Sequence, residues 1–129
     1  MWFASSLWVH QIDNCLKDEE ILILDGAARQ PKEAELLDEV MEFISRPKPI
    51  AIILNISEEE SKNRLLKRKR PDDTQESISR RLSWFNANAT AAIEYYREKG
   101  RLIEINGEQT PEEVFKELEN KLEKYFSER

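Results

Sequence analysis

The 129-residue sequence predicts an α/β protein of three layers, a parallel sheet with helices over both faces. Short apolar runs at 21–25 and 50–56 have the length and β-branched content of strands buried on both sides, and 101–105 reads as a third strand. The longer stretches between them repeat apolar residues at helical spacing. Strands alternating with helices close into a parallel sheet through right-handed crossovers.

The elements follow in order. Residues 3–17 set Leu7, Trp8, Ile12 and Leu16 near one face and predict an amphipathic helix. Residues 21–25 predict the first strand, ending at Asp25-Gly26. Residues 33–45 carry Leu36, Leu37, Val40, Met41, Phe43 and Ile44 on a helix closed by Pro47 and Pro49. Residues 50–56 are the second buried strand. Ser57-Glu58-Glu59-Glu60 then has the pattern of a capping box, where hydroxyl and carboxylate satisfy each other's backbone donors, opening a helix to about Lys67. A long helix over 74–99 has Ile78, Leu82, Phe85, Ala89, Ala92, Ile93 and Tyr96 on its packing side, and Gly100 stops it. Residues 101–105 are the third strand. Thr110-Pro111-Glu112-Glu113 is another cap with proline in the first turn, and its helix is expected to bury Val114, Phe115, Leu118, Leu122 and Tyr125. Without repeats, linkers or low-complexity tracts, residues 1–129 read as one domain.

Composition narrows the chemistry. Hydrophobic residues make up 40% and charged residues 36%, mixed in sign, which describes a globule with solvated helix faces rather than disorder. One cysteine, Cys15, excludes an intrachain disulfide and is expected to be a small buried apolar residue. The apolar runs are too short to span a bilayer, and the N-terminus lacks the basic region of a secretory signal, so a soluble cytoplasmic protein with no membrane partner is expected. His10, the sole histidine, has no acid or serine around it in a catalytic spacing. Nucleophilic triads, zinc sites and paired-carboxylate hydrolysis find no support. Trp2, Trp8 and Trp84 are expected in the core or an interface.

The net charge of −6 is uneven: from Lys62 to Arg81 eight Lys/Arg face three Asp/Glu, a local +5 within an otherwise −11 chain. A basic island in an acidic chain suits a small polyanion better than nucleic acid, which usually meets a wide basic face. Arg64 and Arg68 are four apart on one helix, Arg70 follows, and Arg80-Arg81 lie on the next. Arg81 sits at the margin of a packing face and needs a partner, for which Asp72 and Asp73 are the local candidates. Converging guanidinium groups suit a phosphoryl group in transfer; a solvated basic helix with i,i+4 pairs is the plainer alternative. Asp25, at the end of an apolar run, suits Mg²⁺ held through water, or equally an ordinary Asp-Gly turn.

In order and spacing these residues resemble the adenylate kinase family of nucleoside monophosphate kinases, from about Ile21 to Phe126 and more faintly through the first helix. The matches are Asp25-Gly26-Ala27-Ala28-Arg29 with Glu33-Ala34-Glu35, the helix bearing Arg64 and Arg68, Arg70-Pro71-Asp72-Asp73 with Arg81, and Tyr95-Tyr96, Gly100, Gly107 and Glu112-Glu113-Val114-Phe115. The resemblance implies a P-loop nucleoside monophosphate kinase-like fold and reversible phosphoryl transfer from MgATP to AMP or another nucleoside monophosphate. It implies Asp25 in the Mg²⁺ shell and Arg29, Glu33, Arg70 and Arg81 at the monophosphate. Arg64, Arg68, Arg70 and Arg81 would clamp the transferring group, with Arg64, Arg68 and the backbone from Gly107 to Gln109 serving ATP. Asp72 and Asp73 would orient the arginines. Four departures stand out. Ala28 replaces the family's proline and Glu33 its glutamine. Lys69 alone separates Arg68 from Arg70, where the family has a lid. The family's first strand and its Gly-x-x-Gly-x-Gly-Lys loop have no counterpart, since the three glycines are Gly26, Gly100 and Gly107. That predicts an incomplete sheet, a C-terminal portion of a kinase from a truncated or partial reading frame, and a chain that neither turns over alone nor folds well alone. The alternative is a non-catalytic nucleotide-, polyphosphate- or partner-binding module, with self-association through exposed sheet edges.

Overall fold

The computed structural model describes residues 2–17, 19–68 and 70–128, with the backbone alone at 2–4. Trp2, Phe3 and Lys69 therefore lie outside the described side chains. The described residues form α1 (Trp2–Cys15), α2 (Pro31–Phe43), β1 (Ala51–Asn55), α3 (Glu58–Arg68), α4 (Gln75–Glu98), β2 (Leu102–Asn106) and α5 (Pro111–Ser127). The sheet is parallel, and among these residues it has two strands, β1 and β2, in register from Ala51 opposite Leu102 to Asn55 opposite Asn106.

The segment predicted as the first strand, 21–25, forms no ladder. It still alternates like a strand. Leu22 and Leu24 pack against the buried cluster of Ile12, Leu37 and Met41, while Ile21 and Ile23 stay 87% and 85% exposed. A strand needs a hydrogen-bonded neighbour as well as a pattern, and β1 pairs only with β2. Apolar alternation alone cannot supply that neighbour.

Burial concentrates on β2 rather than β1. Ile103 and Ile105 point into the core between exposed Glu104 and Asn106, with α4 and α5 packed against β2. On β1, Ile52 and Leu54 remain 45% and 53% exposed, so the two-sided burial expected for this strand is not realised. Gly107 continues the ladder by donating its N–H to Asn55 O at 2.8 Å, and a Cβ there would meet Ile56 Cγ2 at 2.6 Å. Close backbone approach, not turn geometry, demands this glycine.

α4 buries Ile78, Ala89, Ala92 and Tyr96, four of the seven residues of the predicted stripe. Phe85 turns outward, as do Leu7 of α1, Phe43 of α2 and Phe115 of α5. α5 buries no residue fully; Val114, Leu118, Leu122 and Tyr125 are half-buried, because a single strand is too narrow to cover a helix face. Cys15 is exposed, its thiol donating to Gln11 Oε1 at 3.2 Å.

The caps differ. At Thr110 the box is reciprocal, with Thr110 Oγ1 accepting from Glu113 N and the Glu113 carboxylate accepting from Thr110 N. At Ser57 only half forms: Ser57 Oγ accepts from Glu60 N, but Ser57 N donates to Glu108 Oε1 at 2.8 Å and Glu60 turns to Arg64. A tertiary partner displaces the local one.

Candidate functional site

α3 ends and α4 begins around Asp72-Asp73, and the intervening turn folds the two carboxylates back on both helices. Asp73 accepts a bidentate pair from Arg68, Nε to Oδ2 and Nη2 to Oδ1, each 2.8 Å. The same Oδ1 accepts from Arg81 Nη1 at 3.1 Å, and Arg81 Nη2 donates to Asp72. The hydrogen bonds from Arg68, then the attraction of Arg81, hold the Asp73 carboxyl down at about 2 despite its shielding. The same contact raises Arg68 above its ordinary value. Thr74 Oγ1 caps α4 by accepting from Ser77 N, and Ser77 Oγ donates to Asp72 O, so the turn carrying both acids is pinned.

Beside this cluster lies an open groove of about 960 Å³. Arg29 enters it from the loop before α2, Arg80 and Arg81 from α4, and β1 supplies Ile53, Leu54 and Asn55. The Arg29 guanidinium stands 5.5 Å from the Trp84 ring centroid, a cation–π contact. Trp84 is thus at a groove wall, 40% exposed, rather than in the core.

The arginines expected to converge do so in part. Arg68 and Arg81 share Asp73, and Arg29 and Arg81 share the groove. Arg64 points back to Glu60 at 2.6 Å, the ordinary i,i+4 pair of a solvated helix. Arg70 is exposed just after the end of α3. Glu33 accepts from Arg29 N at 3.1 Å, closing the start of α2. Gln109 Nε2 donates to Asn106 O at 3.1 Å and to Glu117, while Gly107 is buried with its N–H spent on β1. Asp25 is exposed beside Gly26 at φ 69°. Ala28 adopts φ 51°, a left-handed conformation closed to the proline that the family carries there.

A lone exposed carboxylate fits Mg²⁺ only as an outer-shell partner, through water, with phosphates completing the coordination. Among the described residues no three His, Cys, Asp or Glu side chains gather to hold a metal by themselves.

Sequence reading missed a second acid–base cluster. Asp38 of α2 and Arg101, just before β2, are each 6% exposed. Arg101 Nη1 donates to Asp38 Oδ1 at 2.8 Å and to Pro49 O at 2.7 Å, Nη2 to Asp38 Oδ2, and Tyr95 Oη to Asp38 Oδ2 at 2.7 Å. Burial pushes the Asp38 carboxyl up, but the bonds from Arg101 and Tyr95 outweigh it and hold it below the usual value. Burial, then the bond to Asp38, pushes the Tyr95 phenol up to about 12. The signal was present: Asp38 falls four after Ala34 and three before Met41, on the buried face of α2.

No helix among the described residues is long and apolar enough to cross a membrane. No protein-family model matches the chain. Over 108 residues it is 36% identical to the adenylate kinase of Azobacteroides pseudotrichonymphae, covering 81% of this chain and 56% of that protein. Adenylate kinase 1 of Nostoc sp. is 36% identical over 96 residues, covering 74% and 52%. The adenylate kinase of Oenococcus oeni is 37% identical over 95 residues, covering 72% and 50%. These identities lead to one conclusion: the chain belongs by sequence to the adenylate kinase family of nucleoside monophosphate kinases, and it spans about half the length of the curated relatives it matches.

Proposed function

We propose that this chain is the arginine-bearing portion of an adenylate kinase-type phosphotransferase, gripping phosphates during reversible transfer from MgATP to AMP or another nucleoside monophosphate. One observation carries the reading: Asp73 bridges Arg68 and Arg81 from two different helices beside a groove that Arg29 also enters. Guanidinium groups already gathered by a carboxylate exchange it for phosphate oxygens at low reorganisation cost, with bidentate geometry on either anion. In this reading Arg68 and Arg81 hold the transferring group, Arg29 and Arg70 the monophosphate, Arg64 and the backbone at Gly107 to Gln109 the ATP side, and Asp72 and Asp73 keep the arginines in place between turnovers. Asp25 would hold the water shell of Mg²⁺ bound with ATP, and the ion would there offset charge on the phosphate oxygens. Glu33 faces the acceptor base as an acceptor only, which favours a base with an amino group.

The sequence contains no Gly-x-x-Gly-x-Gly-Lys loop. The backbone cradle and lysine that such a loop supplies to phosphoryl transfer would have to come from polypeptide outside these 129 residues, and a three-layer αβα sheet would be complete only with it. The reading therefore expects phosphate binding without useful turnover by the chain alone. A coupled assay of the pure chain with ATP, Mg²⁺ and AMP tests the second half of that statement: turnover at the rate of an ordinary adenylate kinase would sink it.

A second reading, a non-catalytic nucleotide- or partner-binding module, is favoured by the exposure of Ile21, Ile23, Ile52 and Leu54. Sedimentation of the pure chain distinguishes self-association through those apolar edges from a monomer.

A further inference from the structure

Ser77, Arg80, Arg81, Trp84 and Phe85 recur at i, i+3, i+4, i+7 and i+8, so they form one stripe along α4, and all five line the groove. The cations around this stripe differ in what holds them. Arg81 is tied to Asp72 and Asp73, and Arg29 rests against the Trp84 ring. The Arg80 side chain makes no hydrogen bond or ion pair among the described residues. The one carboxylate on the groove wall, Glu58, is engaged by Lys62 on its own helix. An anion entering here must compete with Asp72 and Asp73 for Arg81, but with no carboxylate for Arg80. Once a ligand displaces water from the groove, an unmatched guanidinium there favours an anion strongly.

We propose that Arg80 is a further phosphate-binding residue of this groove, the one that meets a polyphosphate chain without first releasing a carboxylate. The inference rests on the phosphate-gripping reading above and extends it to a residue outside the matched motifs. It assigns the first contact to Arg80, and the exchange of Asp73 for phosphate on Arg68 and Arg81 to a later step.

The test is calorimetric titration of the full chain with inorganic tripolyphosphate, ATP and adenosine at low ionic strength. Parent protein is compared with R80Q, R80K and a charge-matched control on exposed α5, K116Q. Arg80 is exposed and holds no partner, so these variants keep the fold, as circular dichroism will show. Tripolyphosphate and ATP should each bind R80Q about tenfold or more weakly than the parent, the scale of one charge-assisted contact. R80K should keep most of the affinity, K116Q all of it, and adenosine should not distinguish the variants. An R80Q affinity within about twofold of the parent, or an equal loss in K116Q, overturns the role of Arg80 and leaves the phosphate-gripping reading standing. Failure of the parent chain to bind either polyphosphate overturns that reading as well.

Discussion

Asp38 and Arg101 meet where both are almost closed off from water, each 6% exposed, while Asp73, Arg68 and Arg81 make the same kind of contact beside an open groove. In the first cluster the partners close in from several sides: Arg101 donates twice to Asp38 and once to Pro49 O, and Tyr95 donates to the same carboxylate. The ring of Tyr96, 5.4 Å from the guanidinium carbon, packs against the pair. In the second, the arginine side chains remain 35% and 44% exposed although the Asp73 side chain is fully covered. Identical groups thus do different work. A closed pair ties α2, α4 and β2 together and, being buried, offers no face to a ligand. An open pair can trade its carboxylate for another anion, because the guanidinium faces stay reachable.

The largest way to break that comparison is Arg101→Leu. It leaves Asp38 buried without its counter-ion and should cost about 3–5 kcal/mol of unfolding free energy, read from a urea denaturation curve. A loss below about 1 kcal/mol would put the pair in the same class as a surface bridge. Tyr95→Phe removes one bond to the same carboxylate and leaves the ring, so about 1–2 kcal/mol is expected by the same measurement. Arg81→Gln, at the open cluster, should change stability by less than about 1 kcal/mol while weakening polyphosphate binding. A stability loss matching that of Arg101→Leu would show the two clusters to be alike.

The smallest expected effect is in pH. The Asp73 carboxyl sits at about 2 in the folded chain, against about 3.9 unfolded. Its contribution is complete above pH ~4 and is lost as pH falls from there toward ~2. Asp73→Asn should therefore flatten part of the acid limb of a stability profile. Tyr95 runs the other way: with its phenol at about 12 against about 10 unfolded, its contribution is whole below pH ~10 and fades as pH rises toward ~12. Tyr95→Phe should flatten the alkaline limb and, by removing one of the bonds that hold the Asp38 carboxyl down, also soften part of the acid one.

The open cluster is legible in the sequence because its parts are near neighbours. Arg68, Asp72, Asp73 and Arg81 fall within fourteen positions, across one helix end, one turn and one helix start, and local geometry alone brings them close. The closed cluster is not, since Asp38 and Arg101 are 63 residues apart and only the packing of α2 beneath α4 and β2 joins them. Asp38 could be placed on a buried face; its partner could not be named from spacing.

The same division holds for the fold. Periodicity, prolines, the Thr110 cap and Gly100 determined where helices and the strands β1 and β2 lie, because each depends on contacts within a few residues. Whether an apolar run becomes a strand was decided by its neighbour: 50–56 found β2, and 21–25, equally apolar, found none and kept only its alternation. Tertiary structure likewise chose Glu108 over Glu60 as the partner of Ser57 N, and turned Trp84 and Phe85 to a groove rather than the core. Backbone hydrogen bonds between strands and the burial of a face both require a second surface, and no stretch of sequence carries that surface within itself.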